Sequence, residues 1–338
     1  MRIVVAGIRG IVGGAVARHF AAAGHSVTGI SRKPVKPVNN EASNLPVALR
    51  VVSWSALNPA LFAELQPDVV CNCAGAPMLQ RWTRRNQRLI VDSRLSTTRR
   101  LYELSATLPK RLRPDCIVNM SSVAVYGNRA TVVDEHVVPT ADDTFFQAQV
   151  WQALEQQVHE CTTPGTRNLI ARLGVVMGPH SMLSGMLNAA RFGISATLGN
   201  GSQQLSWISD RDLARAVEHL VVNTHLRGIF NLVSPQVVNS QQLSATIAAC
   251  MGTEPKLRIP LPLLRMLLGS VADTFGISAA VKPVRLRESC FHWLQPDLRA
   301  AIASAAAELG MITAEPARDL GVSRSGTLAG ASHRAEVR

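Results

Sequence analysis

A glycine pattern near the start of the chain has the spacing of a phosphate-binding turn. The pattern G-x-x-G-x-x-G lies between an apolar run, Arg2–Ala6, and an amphipathic segment, Ile11–Ala23. Residues without Cβ atoms let the backbone approach a diphosphate, and the free N–H groups of a helix N-terminus attract its charge. A plain tight turn is the alternative. The residues predicted to contact a dinucleotide here are Gly7, Ile8, Arg9, Gly10, Ile11 and Gly13.

The end of the next apolar run, Ser26–Ile30, indicates which dinucleotide fits. NAD enzymes place Asp or Glu there to bind the ribose 2′-hydroxyl, but this chain has Ser31, Arg32 and Lys33. A guanidinium suits a 2′-phosphate. The residues therefore favour NADP(H) over NAD(H), with Ser31 and Arg32 as contacts. The alternative is that Arg32 and Lys33 are only loop charges.

Small residues follow two later predicted strands, Asp68–Cys73 and Asn168–Leu173. Such residues at the carboxyl ends of parallel strands let a cofactor lie against the backbone. The second of these segments alone would be interpreted as a plain loop. The residues predicted to form this floor of the cleft are Cys73, Ala74, Gly75, Gly174 and Val175.

The six cysteines are scattered, without a repeated C-x-x-C spacing, and predict neither a metal site nor disulfides. Cys71 and Cys73 share one strand face and are interpreted as core rather than redox-active residues. The pattern is typical of a reduced cytoplasm. The apolar run within Met1–Gly7 is too short for a signal peptide, and Leu261–Val281 is interrupted by charges, so no membrane segment is expected.

Apolar strands alternate with amphipathic helices through the first half of the chain, which predicts an α/β fold. The predicted order builds a Rossmann-type, doubly wound parallel sheet. After residue 178 the alternation breaks up. We therefore expect an NADP-binding domain over residues 1–178, with its sheet completed by later segments. A smaller α+β substrate-side domain is expected over residues 179–308, and a disordered tail over residues 309–338.

The net charge of +12 raises the possibility of an anionic partner. Between Arg81 and Arg113 ten basic residues accompany only two acidic ones. No aromatic residues interleave with them as in a nucleic-acid-binding motif, so a solvated helix face is the preferred interpretation. Neither nucleic acid nor a membrane is expected as a partner. The partners predicted are a small-molecule substrate that the sequence does not identify and, as a possible assembly, a homodimer.

Several segments together resemble the extended short-chain dehydrogenase/reductases. The likeness is to their atypical epimerase-like family, which bears a C-terminal domain of unknown function, and it covers residues 1 to about 308. The segments that carry it include residues 4–13 (VVAGIRGIVG), 70–77 (VCNCAGAP), 121–127 (SSVAVYG), 172–179 (RLGVVMGP) and 291–298 (FHWLQPDL). The resemblance implies NADP(H) binding by the glycines and Arg32, with Arg94 completing the cleft. The epimerase label itself describes likeness only.

The chain departs from that family at the catalytic pair. Typical members use Tyr-x-x-x-Lys, in which the lysine lowers the pKa of the tyrosine for proton transfer. Neither Tyr102 nor Tyr126 is followed by such a lysine. Counting along the helix that should carry the pair places Gln147 at the tyrosine position and Trp151 at the lysine position. Neither of these side chains can titrate.

Ser122 matches the family's catalytic Ser/Thr and is predicted to orient a substrate carbonyl, or else to bond to the backbone. Tyr126 is a candidate replacement acid, or else a residue that only caps its loop. Asp134, Glu135 and two histidines lie in predicted loops and are interpreted as solvated. One hypothesis is an NADP(H)-dependent oxidoreductase or epimerase-like enzyme of atypical mechanism, acting on a small carbonyl or hydroxyl substrate. The alternative is a non-catalytic NADP(H) sensor or scaffold that regulates a partner protein.

Overall fold

The computed structural model describes residues 1–32, 49–140, 145–255 and 257–312. Seven parallel strands form its central sheet, in the spatial order β11-β6-β5-β4-β1-β2-β3. The order reverses at β1 and β4, which is the arrangement of a Rossmann sheet. The strands are β1 (Arg2–Ala6), β2 (Ser26–Ser31), β3 (Arg50–Ser53), β4 (Val69–Asn72), β5 (Cys116–Ser122), β6 (Arg167–Leu173) and β11 (Gly228–Leu232).

Five helices cover the two faces of this sheet. They are α1 (Ile11–Ala22), α2 (Pro59–Leu65), α3 (Arg84–Thr107), α4 (Phe146–Glu160) and α6 (Asp210–Val222). Helices α1 and α6 pack together, as do α3 and α4. Alternate residues of β1 enter separate cores, with Ile3 and Val5 on the α1 side and Val4 and Ala6 on the α3 side. Strands buried on both faces read as continuous apolar runs, which is why the sequence predicted this class correctly.

Helices and short strand pairs form a second region beyond the carboxyl edge of the sheet. Its helices are α5 (Met182–Arg191), α7 (Ser240–Cys250), α8 (Leu261–Leu268) and α10 (Leu298–Glu308). Its strands are β7 (Val175–Met177), β8 (Ala196–Leu198), β9 (Gln204–Leu205), β10 (Trp207–Ser209), β12 (Val238–Asn239) and β13 (Leu257–Ile259). The strands pair as β7 with β10, β9 with β12 and β8 with β13. A third apolar cluster, which includes Leu187, Trp207, Ile247 and Ile302, holds this region together.

Some elements differ in extent from their sequence predictions. Helix α2 was not predicted, because seven residues are too few for a clear helical period. The apolar pattern of the sequence favours a helix over Leu261–Phe275, but α8 ends at Leu268, since Gly269 takes a φ of +73° and a 3-10 segment follows.

Three elements of the later chain return to the Rossmann body. Helix α6 packs on α1, and strand β11 pairs with β6. Helix α9 (Val284–Glu288) packs on β11 and buries Leu286 in the same core as Ile3 and Val5. Near the C-terminus, Met311 and Ile312 still pack against the third cluster. The rest of the tail predicted over residues 309–338 lies outside the described residues, which end at 312.

Candidate cofactor and substrate site

The glycine turn, residues 7–13, is so tight that side chains cannot be added to it. Gly7 has a φ of +78°, and a Cβ on it would lie 2.6 Å from the carbonyl oxygen of Cys73. A Cβ on Gly13 would lie 2.4 Å from the carbonyl oxygen of Gly7. Both distances are far below van der Waals contact, and the obstacles are backbone atoms. The turn therefore requires glycine at these two positions, as the sequence predicted.

The N-terminus of α1 opens at this turn. Gly10 is the N-cap and supplies no side-chain hydrogen bond, and the first helical turn contains no acidic residue. Its N–H groups are thus available to an anion. Arg9 and Ile11 are exposed beside it, whereas Ile8 is fully buried and packs on Gly29 of β2. Of the predicted contacts, Ile8 can therefore offer only its backbone.

The end of β2 lies next to the glycine turn, since the N–H of Gly7 donates to the carbonyl of Ile30. Ser31 is buried there and Arg32 is exposed. The structure thus presents a guanidinium at the position where a ribose 2′-hydroxyl would otherwise meet a carboxylate. Lys33, the other predicted charge, lies outside the described residues.

The small residues after β4 form the neighbouring edge. The N–H of Cys73 donates to the carbonyl of Ala6, which fixes this segment against β1. Burial raises the pKa of the Cys73 thiol to about 12. The pKa of Cys71, which is fully buried, is raised well above its usual value for the same reason. Both thiols stay protonated, in agreement with their interpretation as core residues.

Arg94 lies beneath this edge rather than at its surface. Its side chain is 8% exposed, and Nη1 donates to the carbonyl oxygens of Ala76 (3.1 Å) and Ile90 (2.9 Å). Its Cζ lies 4.7 Å from the centre of the Trp151 ring, a cation–π contact. Burial lowers the pKa of Arg94 to about 10. The guanidinium thus supports the loop around Gly75 from below, where a Cβ would meet it at 2.9 Å.

Ser122 stands at the end of β5 and faces a cavity of about 320 Å³. Its Oγ accepts a hydrogen bond from the N–H of Ala124 (3.2 Å) and donates a long one to the carbonyl of Leu173 (3.4 Å). Gln147, which counting along the sequence assigned to the family's tyrosine position, lines the same cavity and donates from Nε2 to Thr274 Oγ1 (2.9 Å). The structure therefore brings Ser122 and Gln147 together.

Gly174 and Val175 complete this side of the cleft. A Cβ on Gly174 would lie 2.8 Å from the carbonyl oxygen of Ser206, the residue before β10. The two backbone segments are therefore too close together for a side chain at this position. Val175 lines the cavity that Ser122 faces. The predicted floor is thus a close backbone contact followed by an apolar surface.

Tyr126 is not at the cleft, contrary to its prediction as an acid. The residue is fully buried, and its hydroxyl donates to Asn231 Oδ1 (3.0 Å) and the carbonyl of Asp134 (2.9 Å). Arg172 Nη1 donates to the same oxygen at 2.8 Å. Burial raises the pKa of the phenol, although Arg172 acts in the opposite direction. A hydroxyl held by three partners away from the cavity is structural.

Tyr126 belongs to a buried network that the sequence analysis missed. Arg172 forms a two-pronged ion pair with Glu155, at 2.9 and 2.6 Å, and Ser121 Oγ donates to Glu155 at 2.6 Å. We call Ser121, Tyr126, Glu155, Arg172 and Asn231 the buried network. The available signal was a charged residue, Arg172, inside an otherwise apolar strand, because a buried charge requires a partner.

Asp134 and Glu135, the two carboxylates of the loop after β5, both accept hydrogen bonds from backbone N–H groups. Glu135 was interpreted as solvated, but its Oε1 accepts from the N–H of Asn231 (2.9 Å) and its Oε2 from that of Val284 (3.2 Å). It joins the loop after β5 to β11 and α9. Asp134 Oδ1 accepts from the N–H of His136, so it shapes the loop itself.

Comparison with known proteins identifies the same fold and family. The model of the NAD dependent epimerase/dehydratase family matches residues 3–232, which is more than half of the chain. The epimerase family protein YfhF of Bacillus subtilis is 27% identical over 311 residues, covering 91% of this chain and 99% of that protein. No helix in the part of the chain that the structure describes is both long and apolar enough to cross a bilayer.

Solved structures extend the likeness to the whole described fold. A crystal structure of the human epimerase family protein SDR39U1 (isoform 2) with NADPH superposes with a TM-score of 0.79 at 27% identity. It matches 90% of this chain and 99% of its own. The UDP-glucose 4-epimerase of Thermus thermophilus, solved with NAD, has a TM-score of 0.72 at 16% identity, covering 92% and 99% of the two chains. At that identity the second likeness concerns the fold alone.

Proposed function

The chain belongs to the NAD dependent epimerase/dehydratase family, and from this premise we propose that it is an NADP(H)-dependent oxidoreductase of a small carbonyl or hydroxyl substrate. The observation that carries the proposal is the glycine turn at the N-terminus of α1. A diphosphate fits it because the positions nearest the backbone, Gly7 and Gly13, have no room for a Cβ. A turn with a purely structural role would not need to leave the helix end uncapped and exposed.

Arg32 supports NADP(H) rather than NAD(H). Its guanidinium is exposed at the end of β2, next to Ser31, and no carboxylate stands at either position. A 2′-phosphate gains charge-assisted hydrogen bonds there, whereas a 2′-hydroxyl would lack its usual acceptor. The human relative, whose structure was solved with NADPH, agrees with this assignment.

Ser122 is the group that would act on the substrate. When bound, NADPH supplies a hydride to an electrophilic carbon. The Ser122 hydroxyl can donate to a carbonyl oxygen because its present bond to Leu173 is long, at 3.4 Å, and is easily exchanged. Gln147 can fix the orientation of the substrate but cannot exchange a proton, and Trp151 cannot lower a neighbouring pKa. Water therefore supplies the proton in this proposal.

Replacing Arg32 with Glu tests the cofactor assignment. The variant places a carboxylate where a 2′-phosphate would bind, so the Kd for NADPH should rise by about a hundredfold. The Kd for NADH should change by less than about threefold, since it has no 2′-phosphate. Calorimetric titration of both nucleotides measures the two values.

Arg111→Glu is the matched control for this experiment. Arg111 is exposed near the start of β5, at the opposite edge of the sheet from the glycine turn, and the substitution changes the net charge equally. It should leave both affinities unchanged. Equal losses for NADPH and NADH in Arg32→Glu would remove the argument from the 2′-phosphate. Absence of binding of either nucleotide to the unaltered protein would remove the proposal itself.

A sensor or scaffold is the second candidate function, and the replaced catalytic pair favours it. Neither Gln147 nor Trp151 titrates, so tight binding without turnover is chemically consistent with the cleft. The two functions separate when the absorbance of bound NADPH is followed with a panel of aldehydes, ketones and enones. Tight binding of NADPH with no oxidation by any of these classes would favour the sensor.

A further inference from the structure

The cavity that Ser122 faces has a mainly apolar wall, although the protein as a whole is basic. The whole sequence contains 35 Lys and Arg residues. None of the described residues that line this cavity is Lys, Arg, His, Asp or Glu. Most of the wall consists of aliphatic, thioether and aromatic side chains, among them Met78, Met182, Met186, Leu205, Leu243 and Phe275.

A charged substrate group would be costly in such a cavity. An anion that leaves water needs compensating charges or several donors, and this wall offers no cation. A sugar nucleotide carries a diphosphate, which proteins bind with Arg, Lys or a helix N-terminus. The chemistry of the wall therefore favours an uncharged, largely apolar substrate.

One polar group in the wall has an unused hydrogen-bonding position. Gln203 is 9% exposed, and its Nε2 donates to the carbonyl oxygens of Leu198 (2.6 Å) and Phe275 (2.8 Å). Its Oε1 is buried and receives no hydrogen bond from any described residue. The two carbonyl acceptors fix which end of the amide is the oxygen. A buried acceptor without a donor is destabilising, so it is usually retained for a ligand or water.

The backbone is arranged around this amide. Gly199 has a φ of +68°, and a Cβ there would lie 2.6 Å from Gln203 Nε2. The residue next to β8 must therefore be glycine for the amide to reach its two carbonyl partners. Gln203 is thus held in one orientation by three features: two hydrogen bonds and a close backbone approach.

The serine hydroxyls of the C-terminal side of the cavity are already committed to backbone groups. Ser206 Oγ donates to the carbonyl of Ala279 and accepts from the N–H of Val281. Ser240 Oγ donates to the carbonyl of Leu198, and Ser181 Oγ to that of Gly178. Among the buried polar side-chain atoms of the described wall, Gln203 Oε1 is the one without a partner, and it can pair with a substrate hydroxyl or N–H.

We propose that the substrate is an uncharged, mainly apolar ketone or aldehyde that also carries a hydroxyl or N–H group, which donates to Gln203 Oε1. This inference rests on the proposed function, since Ser122 donates to the carbonyl of the same molecule. In the reduction, the carbonyl carbon gains a hydride from NADPH and the oxygen gains a proton from water. The ketone becomes a secondary alcohol, and the nicotinamide is oxidised by the same two electrons.

Benzylacetone and its ortho-, meta- and para-hydroxy derivatives test this class of substrate, with UDP-glucose as the charged probe. Binding is measured as the thermal shift of the protein saturated with NADPH, and turnover as NADPH oxidation. We expect the ketones to bind, with one hydroxylated isomer preferred over benzylacetone by about tenfold, the typical effect of one hydrogen bond. UDP-glucose should give no shift.

Gln203→Leu removes the acceptor while keeping a side chain of similar size. The preference for the hydroxylated isomer over benzylacetone, a ratio measured within the same variant, should fall to about one, and the affinity for NADPH should stay within about twofold. Gln241→Leu is the control, because Gln241 is exposed on α7 and does not line the cavity. It should retain the full preference.

The outcomes separate this inference from the proposed function. Failure to bind NADPH contradicts the proposed function and removes the basis of this inference with it. Binding of NADPH and of hydroxylated ketones without turnover supports the substrate class and contradicts only the reaction. A larger shift with UDP-glucose than with any ketone, no binding of any ketone, or a preference that survives in Gln203→Leu overturns the inference.

Discussion

The glycine turn and the inner side of α4 lie at the same carboxyl edge of the sheet, but they depend on opposite features of the chain. At the turn, what matters is the absence of side chains, since Gly7 and Gly13 leave bare backbone next to a helix end. Along α4, what matters is the contacts of the side chains, because Glu155 forms a buried ion pair with Arg172 and the Trp151 ring packs against Arg94. The first feature should control ligand affinity and the second should control stability.

The largest expected effect comes from breaking the ion pair on α4. Glu155→Gln leaves the Arg172 guanidinium buried without its counter-charge, so the free energy of unfolding should fall by about 3–5 kcal/mol. Urea denaturation measures this change. Glu64→Gln is the control, since its ion pair with Arg50 is exposed and should contribute less than about 1 kcal/mol. Equal losses in the two variants would contradict the stabilising role of the buried network.

Gly13→Ala should weaken the binding of NADPH while the protein remains folded. Its Cβ would meet the Gly7 carbonyl at 2.4 Å, so the turn must open and the Kd for NADPH should rise by about a hundredfold. Titration with NADPH measures this, and a melting curve checks that the variant remains folded. Gly185→Ala on α5 is the control, because its Cβ meets no atom within 4 Å. A normal NADPH affinity in Gly13→Ala would show that the turn tolerates side chains.

The smallest effect concerns the thiol beside the turn. The pKa of Cys73 is raised to about 12 by burial, so at pH 8 only about one molecule in ten thousand carries its thiolate. Cys290 is exposed. Iodoacetamide should therefore modify Cys290 long before Cys73, as read by peptide mass spectrometry, and Cys290→Ser should remove the fast phase. The rate at Cys73 should keep rising towards pH 12; a fast reaction near pH 7 would contradict the raised pKa of this thiol.

The sequence predicted the parts of the molecule that depend on local pattern. Apolar runs and helical periods sufficed for the first six strands of the sheet, and the glycine turn could be identified because its residues are neighbours in the chain. Counting along one helix, α4, assigned Gln147 to the tyrosine position of the family, and the structure shows that this residue lines the cavity. These features depend on residues that lie within about ten positions of one another.

The rest depends on contacts between distant residues. Tyr126 was a candidate acid only because it follows Ser122 closely in sequence, and its true partner, Asn231, lies 105 positions further on. Arg94 was assigned to the cleft by resemblance, and only packing shows that Trp151 lies over it. No local pattern distinguishes Gln203 from other glutamines. The predictions of a small-molecule substrate and of a possible homodimer stay predictions.

The position of Asn231 has a consequence for how this protein is made. The chain emerges from the ribosome from its N-terminus, and domains begin to fold as they appear. Six strands of the sheet and most of the buried network precede residue 174, but β11 supplies Asn231 only some 55 positions after β6 ends. Until then β6 is an unprotected sheet edge, which is prone to pairing with other chains. Nascent chains halted between these strands are therefore the ones that should most need a chaperone.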